Sequence, residues 1–230
     1  MDRRDDRLLR KQNLGDLAKT LGEPWVTYRV GRFGNLALDM FICQGTVAMH
    51  RHLDEDELFL VYEGSMLLSS ERGDLMLRTE ELVVVPRGTA HQSSAFFPTT
   101  VLLLRLLGAP MRRNGHGRLF AVPSGAALEK VNLGALYLGL GAPYQPIRAV
   151  TFEGWALWLM RCAGAGPTRS APQQGMPLLV LRGVLAVLTD DGQALPAQRG
   201  DVLAIPPGTS YHLETDTASM AAWLEPLPTP

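Results

Sequence analysis

Short apolar runs separated by turn residues recur along most of the chain. Residues 66–68, 82–85 and 101–104 form three such runs, and Gly, Pro and Asp residues lie between them. Apolar runs of this length, bounded by turn residues, predict β-strands. Their spacing is typical of an antiparallel sandwich or barrel. Residues 14–21 instead place their apolar side chains at helical spacing, which predicts a short helix near the N-terminus.

The pattern of the first half returns in the second half. A shift of 119 residues places Asn13 on Asn132 and Cys43 on Cys162. After one inserted residue, a shift of 120 residues continues the match and places Pro86 on Pro206. Such a constant offset predicts two copies of one fold. The chain is therefore expected to be an internal duplication.

The repeat also sets the expected domain organisation. We expect a first barrel within residues 1–112, a linker at residues 113–131 and a second barrel at residues 132–230. The linker contains His116 within a Gly-rich segment, which favours a solvated side chain there.

Composition and charge exclude several classes of protein. Lys and Arg total 22 and Asp and Glu total 23, so no excess of positive charge favours binding to nucleic acid. No run of 18 apolar residues predicts a membrane span, and the charged N-terminus does not resemble a secretory signal. Two cysteines cannot build a disulfide framework. These features predict a cytoplasmic protein with no membrane or nucleic-acid partner.

Three of the five histidines and one glutamate form an ordered pattern in the first half. His50 and His52 are two residues apart, so on a strand they face the same side, and Glu57 begins the next apolar run. His91 follows a Pro-x-Gly turn that delivers it onto another strand. In a small barrel the four side chains can converge as a mixed nitrogen and oxygen site. Such a site predicts one divalent transition metal per chain: Fe, Mn, Ni, Zn or Cu.

Neighbouring residues complete the predicted site. Phe59 and Val61 share a strand face with Glu57, and Ser93 shares one with His91, so these three are expected to line a pocket. The carboxylates at residues 54–56 are expected to form a solvated acidic turn.

The spacing of these residues resembles the two sequence motifs of the cupin superfamily, and in particular small cupins of the conserved-barrel, mannose-6-phosphate-isomerase-like type. The first half departs from the second motif at Glu80 and Glu81, where the family usually has Gly and Asp, and at Ala95, where it usually has Asn. The resemblance implies an all-β bicupin: two tandem jelly-roll β-barrels with a short N-terminal helix. The residues that carry it are Gly45, His50, His52, Glu57, Gly64, Pro86, Gly88 and His91.

The second half keeps the turns of the motif and loses its ligands. The positions equivalent to His50, His52, Glu57 and His91 are Arg169, Ala171, Met176 and Tyr211. One metal per chain is therefore expected. Arg169 and Tyr211 could hold an anion in the second barrel, but an apolar interior filled by Met176 is the favoured interpretation. Cys43 and Cys162 are expected to be buried apolar residues, and His212 is expected to face away from the vacated site.

The resemblance leaves the reaction open. The leading hypothesis is a metal-dependent oxygenase that acts on a small polar molecule chelated at the metal. The alternatives are a sugar or keto isomerase, in which the metal acts as a Lewis acid, and a non-catalytic ligand-binding or sensing protein. The expected partners are a small-molecule ligand or substrate, and the chain is expected to be a monomer or a homodimer.

Overall fold

Seventeen strands and two short helices make up the computed structural model within residues 8–107 and 126–228, which are the residues it describes. The first set of elements in chain order is β1 (Arg10–Asn13), α1 (Leu14–Thr20), β2 (Tyr28–Phe33), β3 (Leu36–Thr46), β4 (Glu57–Glu63), β5 (Ser65–Ser70), β6 (Gly73–Arg78), β7 (Glu81–Val85) and β8 (His91–Leu106). The second set is β9 (Lys130–Asn132), α2 (Leu133–Leu138), β10 (Ile147–Phe152), β11 (Trp155–Ala165), β12 (Arg169–Ser170), β13 (Met176–Arg182), β14 (Val184–Thr189), β15 (Ala194–Gln198), β16 (Asp201–Ile205) and β17 (Ser210–Pro226).

The predicted all-β fold with two barrels is confirmed. The chain divides into one compact unit of Ala18–Asn132 and a second unit of Met1–Leu17 with Leu133–Pro230. The two sequence repeats have the same order of elements, with β12 as an addition in the second. Within the described residues, both helices are far too short to cross a membrane.

In the first unit, two long strands hold the barrel together. The strand order is β2-β3-β8-β4-β7-β9, and the β5–β6 hairpin joins the sheet through β8. β8 therefore pairs with β5 near its start and with β4 near its end. The pairing of β3 with β8 shifts register between Cys43 and Gly45. Such an irregularity bends a strand and lets it contribute to both faces of a closed barrel.

The second unit follows the same plan. Its strand order is β1-β16-β13-β17-β11-β10, and the β14–β15 hairpin joins through β17. The register of β11 against β17 shifts between Cys162 and Gly164, which is the position equivalent to the shift in the first unit. Each unit encloses its own core of buried apolar side chains.

The first strand of each sequence repeat pairs in the barrel that the other repeat forms. β1 pairs with β16 of the second barrel, and β9 pairs with β7 of the first barrel. The structural units therefore differ from the domain bounds expected from the sequence: β1 belongs to the second barrel and β9 to the first. Residues 130 and 131, assigned to the linker from the sequence, are part of β9. The rest of that linker up to residue 125, including His116, lies outside the described residues.

Each exchanged strand is held by a buried carboxylate. Glu81 accepts hydrogen bonds from Lys130 Nζ at 2.8 Å and from Asn132 Nδ2 at 3.1 Å. Asp201, at the equivalent position, accepts one from Asn13 Nδ2 at 2.8 Å and lies 3.5 Å from Lys11 Nζ. Glu81 thus does what the aspartate at this motif position does in the second barrel.

The residue before each of these carboxylates has a left-handed backbone. Glu80 has φ of 66° and Gly200, at the equivalent position, has φ of 89°. Glycine adopts this conformation at little cost, whereas other residues are strained in it. The departure from the motif at Glu80 therefore places a side chain where the backbone favours glycine.

Candidate metal centre

The four predicted ligands lie together in the first barrel. One ligand atom from each of His50, His52, Glu57 and His91 lies within 4.8 Å of the others. Glu57 opens β4 and His91 opens β8, whereas His50 and His52 lie in the segment between β3 and β4. His52, Glu57 and His91 are buried, and His50 is partly exposed. Residues far apart in sequence thus form one compact cluster.

Backbone hydrogen bonds hold this cluster in place. His50 and His91 form an isolated antiparallel bridge, with N–H donating to C=O in both directions at 2.9 and 2.8 Å. The amide of Gly88 donates to the carbonyl of His52 at 2.6 Å. The Pro-x-Gly turn therefore aligns His91 and also fixes the segment that carries the other two histidines.

Two of the imidazoles are oriented by their own backbone. Nδ1 of His50 lies 2.9 Å from the carbonyl oxygen of Ala48, and Nδ1 of His91 lies 3.0 Å from that of Thr89. A carbonyl can only accept, so each Nδ1 carries the proton and each Nε2 presents a lone pair. This is the arrangement that histidine ligands of metals usually have.

Two buried atoms at the centre of the cluster lack hydrogen bonds. Nε2 of His91 and Oε2 of Glu57 have no hydrogen-bond partner among the described residues, although they lie 3.1 Å apart. Buried polar atoms without partners are costly, at about 1–3 kcal/mol each. A cation bound between them would satisfy both atoms, so the donor set fits a divalent metal.

The electrostatics of the cluster favour an ionised carboxylate. Burial by itself would raise the pKa of Glu57, but contact with His91 and the positive charge that His52, His91 and His50 carry when protonated outweigh it and hold the pKa below its ordinary value. Oε2 of Glu57 also lies 3.3 Å from Nε2 of His52. The cluster therefore offers one negative charge and three imidazole nitrogens to a cation.

The expectation of a solvated acidic turn at residues 54–56 is wrong for Glu55. Its side chain is buried, at 5% exposure, and its Oε1 lies 3.6 Å from Nδ1 of His52. Asp56 accepts a hydrogen bond from the backbone amide of Arg87 at 2.9 Å and so fastens the Pro-x-Gly turn. Sequence reasoning missed both residues because a run of acidic residues in a loop usually faces solvent.

The three residues predicted to line a pocket are all buried. Phe59 meets the ring of His91 edge-on, with ring centroids 5.9 Å apart. Val61 lies further along β4 in the apolar core, and Ser93 follows His91 on β8. Phe59 is thus in contact with the cluster, and the pocket-lining role of the three residues stays a prediction.

Comparison of sequences identifies a distant relative. No family model matches the chain. The uncharacterized protein YdbB of Bacillus subtilis is 26% identical over 92 residues, which span 40% of this chain and 81% of that protein.

Solved structures show a much wider likeness. A cupin 2 conserved barrel domain protein from Leptotrichia buccalis aligns over 94% of this chain and 96% of its own, with a TM-score of 0.71 at 11% identity. The chain has a bicupin fold. A salicylate 1,2-dioxygenase from Pseudaminobacter salicylatoxidans aligns over 95% of the bicupin and 84% of its own chain, with a TM-score of 0.71 at 14% identity. A structure of that dioxygenase with gentisate aligns with a TM-score of 0.70.

The second barrel of this bicupin contains packed side chains at the ligand positions. Tyr211 is buried and donates a hydrogen bond to the sulfur of Met176 at 3.7 Å, and burial raises its pKa to about 12. Arg169 donates to the carbonyl of Tyr144 at 3.2 Å and stacks over the ring of Trp223 at 5.2 Å. Both groups considered for anion binding are thus engaged within the barrel, which favours the apolar interpretation.

Among the residues that the structure describes, Cys43, Cys162 and His212 lie outside the cluster. Cys43 and Cys162 are both free and buried, and burial raises the pKa of each thiol to about 12. Such thiols are poor nucleophiles and poor ligands. His212 follows Tyr211 on β17, pairs across the sheet with Leu188 and is partly exposed.

Proposed function

We propose that the first barrel binds one divalent transition metal through His50, His52, Glu57 and His91 and that the bicupin is a metal-dependent oxygenase. The convergence of these four side chains, with unsatisfied buried atoms at its centre, carries the proposal. Three nitrogen donors and one carboxylate suit Fe, Mn, Ni, Zn or Cu, and an oxygenase requires one of the redox-capable ions.

The residues of the chain have distinct tasks in this proposal. The bound metal would supply Lewis acidity and, for a redox-capable ion, electron transfer. Glu57 supplies the negative charge, and the imidazoles of His50 and His91 present Nε2 because Nδ1 is held by a carbonyl. Phe59 packs its ring against His91 and keeps that side of the site apolar. A small polar molecule would approach from the side of His50, the partly exposed ligand.

The isomerase alternative needs a general base next to the substrate. Glu55 is the additional buried carboxylate closest to this role, but its Oε1 lies near Nδ1 of His52, on the ring edge that faces away from Glu57. A carboxylate behind a ligand cannot take a proton from a molecule in front of it. The likeness in fold to a dioxygenase further supports the oxygenase proposal.

Elemental analysis of metal-reconstituted protein tests the metal site. We expect about one equivalent of metal in the wild type and none in the His52→Ala, Glu57→Ala double variant, because this variant loses two of four donors. Tyr211→Phe in the second barrel is the matched control and should retain the metal. Equal metal content in the wild type and the double variant would contradict the assignment.

Dioxygen consumption tests the reaction. Wild-type protein loaded with Fe(II) would be assayed with salicylate and with gentisate, the two compounds named for the dioxygenase structures. Substrate-dependent consumption that the double variant lacks would support the oxygenase. Thermal stabilisation of the loaded protein by either compound, without consumption, would instead support a ligand-binding or sensing protein.

A further inference from the structure

We propose that Glu55 is a positioning residue for the metal ligand His52, held in place by Arg105 and Asp39. This inference rests on the proposed metal site. Behind His52, a series of charged side chains then leads from Glu55 through Arg105 and Asp39 to Arg29, which is exposed.

The geometry around His52 places a carboxylate behind the ligand. Nε2 of His52 faces Glu57 at 3.3 Å, while Nδ1 on the opposite side of the ring lies 3.6 Å from Oε1 of Glu55. A carboxylate near Nδ1 favours the tautomer with its proton on Nδ1 and leaves the lone pair of Nε2 toward the cluster. Glu55 lies beside Nδ1 of this ring as the carbonyls do for the other two ligands, but at 3.6 Å it acts through its charge and not through a hydrogen bond.

Charged residues hold Glu55 within the barrel. Nη1 of Arg105 lies 3.8 Å from Oε1 of Glu55, and Nε of Arg105 lies 3.2 Å from Oδ2 of Asp39. Asp39 is 1% exposed and is also paired with Arg29, whose side chain reaches solvent. A buried carboxylate is costly unless it is paired, so the contact with Arg105 offsets part of the cost of placing Glu55 behind His52.

His52 differs from the other histidine ligands in this respect. His50 and His91 are oriented by neutral backbone carbonyls, which every residue provides. The group beside Nδ1 of His52 is the carboxylate of Glu55, which is present only because this position is a glutamate. A carboxylate behind an imidazole increases the electron density on the ligand nitrogen and strengthens its bond to a metal.

The second barrel provides an independent comparison. At the positions equivalent to Glu55, Asp39 and Arg105 it has Gln174, Trp158 and Glu225. Trp158 stacks on Trp223 with ring centroids 6.3 Å apart, where the first barrel has Asp39 beside Leu103. The charge series is therefore absent from the repeat that lacks the ligands, as expected if the series serves the site and not the fold.

Zinc affinity, measured by competition with a chelator, tests the role of Glu55. We expect Glu55→Ala to weaken zinc binding about 10- to 100-fold, in the range found for residues that orient metal ligands. Glu55→Gln retains an oxygen that can accept from Nδ1 and should recover part of this loss. Asp54→Asn, the control, removes the same charge from the same turn and should bind zinc within about threefold of the wild type.

A spectroscopic measurement separates positioning from structural damage. In the cobalt-loaded protein, the exchangeable ring N–H protons of the three ligands give shifted NMR signals. We expect the His52 signal to exchange faster in Glu55→Gln and to vanish in Glu55→Ala, while the His50 and His91 signals persist. If Glu55→Ala does not fold, Glu55→Gln still decides, because its side chain has the same size.

The outcomes distinguish this inference from the metal site itself. Loss of zinc in His52→Ala together with unchanged affinity and N–H exchange in Glu55→Gln would overturn the role of Glu55 and leave the site intact. Zinc binding that is unaffected by His52→Ala would overturn the proposed site.

Discussion

The two barrels share one architecture and differ in what their interiors contain. Both have the same order of strands, the same register shift and the same exchanged first strand. The first barrel gathers histidines and carboxylates, and the second fills the same positions with Arg169, Met176 and Tyr211. The residues that specify this barrel are therefore separate from those that specify its chemistry.

The shared features are mostly restrictions on the backbone. Gly64 and Gly183 occupy equivalent turns with positive φ, and a Cβ there would lie 2.6 Å from Thr99 Oγ1 or 2.5 Å from Ser219 Oγ. Such positions tolerate little except glycine whatever the barrel binds. They explain why the repeat is recognisable at turns while its interior has diverged.

The metal ligands and the charged residues behind them differ together between the two barrels. Loss of the ligands alone would leave Asp39, Glu55 and Arg105 as a buried charged group with no site to serve, and even paired buried charges are often no more stable than apolar side chains of similar size. The second barrel has a tryptophan stack at this place instead. Binding chemistry and its supporting charges thus occur together in one barrel and are absent together from the other.

The largest expected effect on zinc binding comes from exchanging one residue between the barrels. His91→Tyr introduces the residue of the second barrel and is expected to weaken zinc binding more than 1,000-fold, because it removes a ligand and adds bulk at the site's centre. The reciprocal Tyr211→His should create no site, since the other three positions are Arg169, Ala171 and Met176. Metal content by elemental analysis checks both, and zinc retained by His91→Tyr would contradict the comparison.

The buried carboxylates that hold the exchanged strands predict a pH-dependent effect. Burial would raise the pKa of Glu81, but hydrogen bonds from Lys130, Arg78 and Asn132 outweigh it and lower the pKa. A lowered pKa in the folded state means that the carboxylate stabilises the protein above its ordinary pKa of about 4.3 and that this stabilisation is lost as pH falls below it. Glu81→Gln should therefore reduce the free energy of unfolding by about 2 kcal/mol at pH 7.

Urea unfolding of apoprotein at pH 7, 5 and 3 measures this effect. The difference between wild type and Glu81→Gln should shrink as pH falls towards 3, because a protonated Glu81 resembles glutamine. Lys130→Met removes the principal donor and should show the same pH trend. A difference that stays constant from pH 7 to pH 3 would argue against the ionised pair.

The smallest expected effect is a change in stability when a residue with positive φ is replaced. Glu80→Gly should stabilise the first barrel by up to about 1 kcal/mol, because Glu80 has a left-handed φ. Gly200→Ala should destabilise the second barrel by about 1 kcal/mol or more for the same reason. Thermal unfolding of the two variants measures both signs. Destabilisation by Glu80→Gly would show that the contacts of the Glu80 side chain exceed the strain.

Local patterns predicted the fold and the set of candidate ligands. The spacing of His50, His52, Glu57 and His91 in a motif identified the set, although His50 and His52 lie between β3 and β4 and not on the strand expected for them; a bridge to His91 and a hydrogen bond from Gly88 hold them in place. The charge series escaped prediction because its members lie in three separate segments: pairing of β3 with β8 brings Asp39 near Arg105, and Glu55 reaches Arg105 from the segment before β4. The strand exchange escaped for a similar reason, since no short-range pattern shows which of two like edges a strand will join.

The exchanged strands also determine the order in which the chain can fold. Arg10 pairs with Ala204, so the second barrel is completed by a segment synthesised long before it. The first barrel in turn lacks an edge strand until Asn132 has been made. Pairings that span nearly the whole sequence slow the search for the native state. A chain with one repeat could form these pairs only with a second molecule, so joining two repeats converts a concentration-dependent association into an intramolecular folding step.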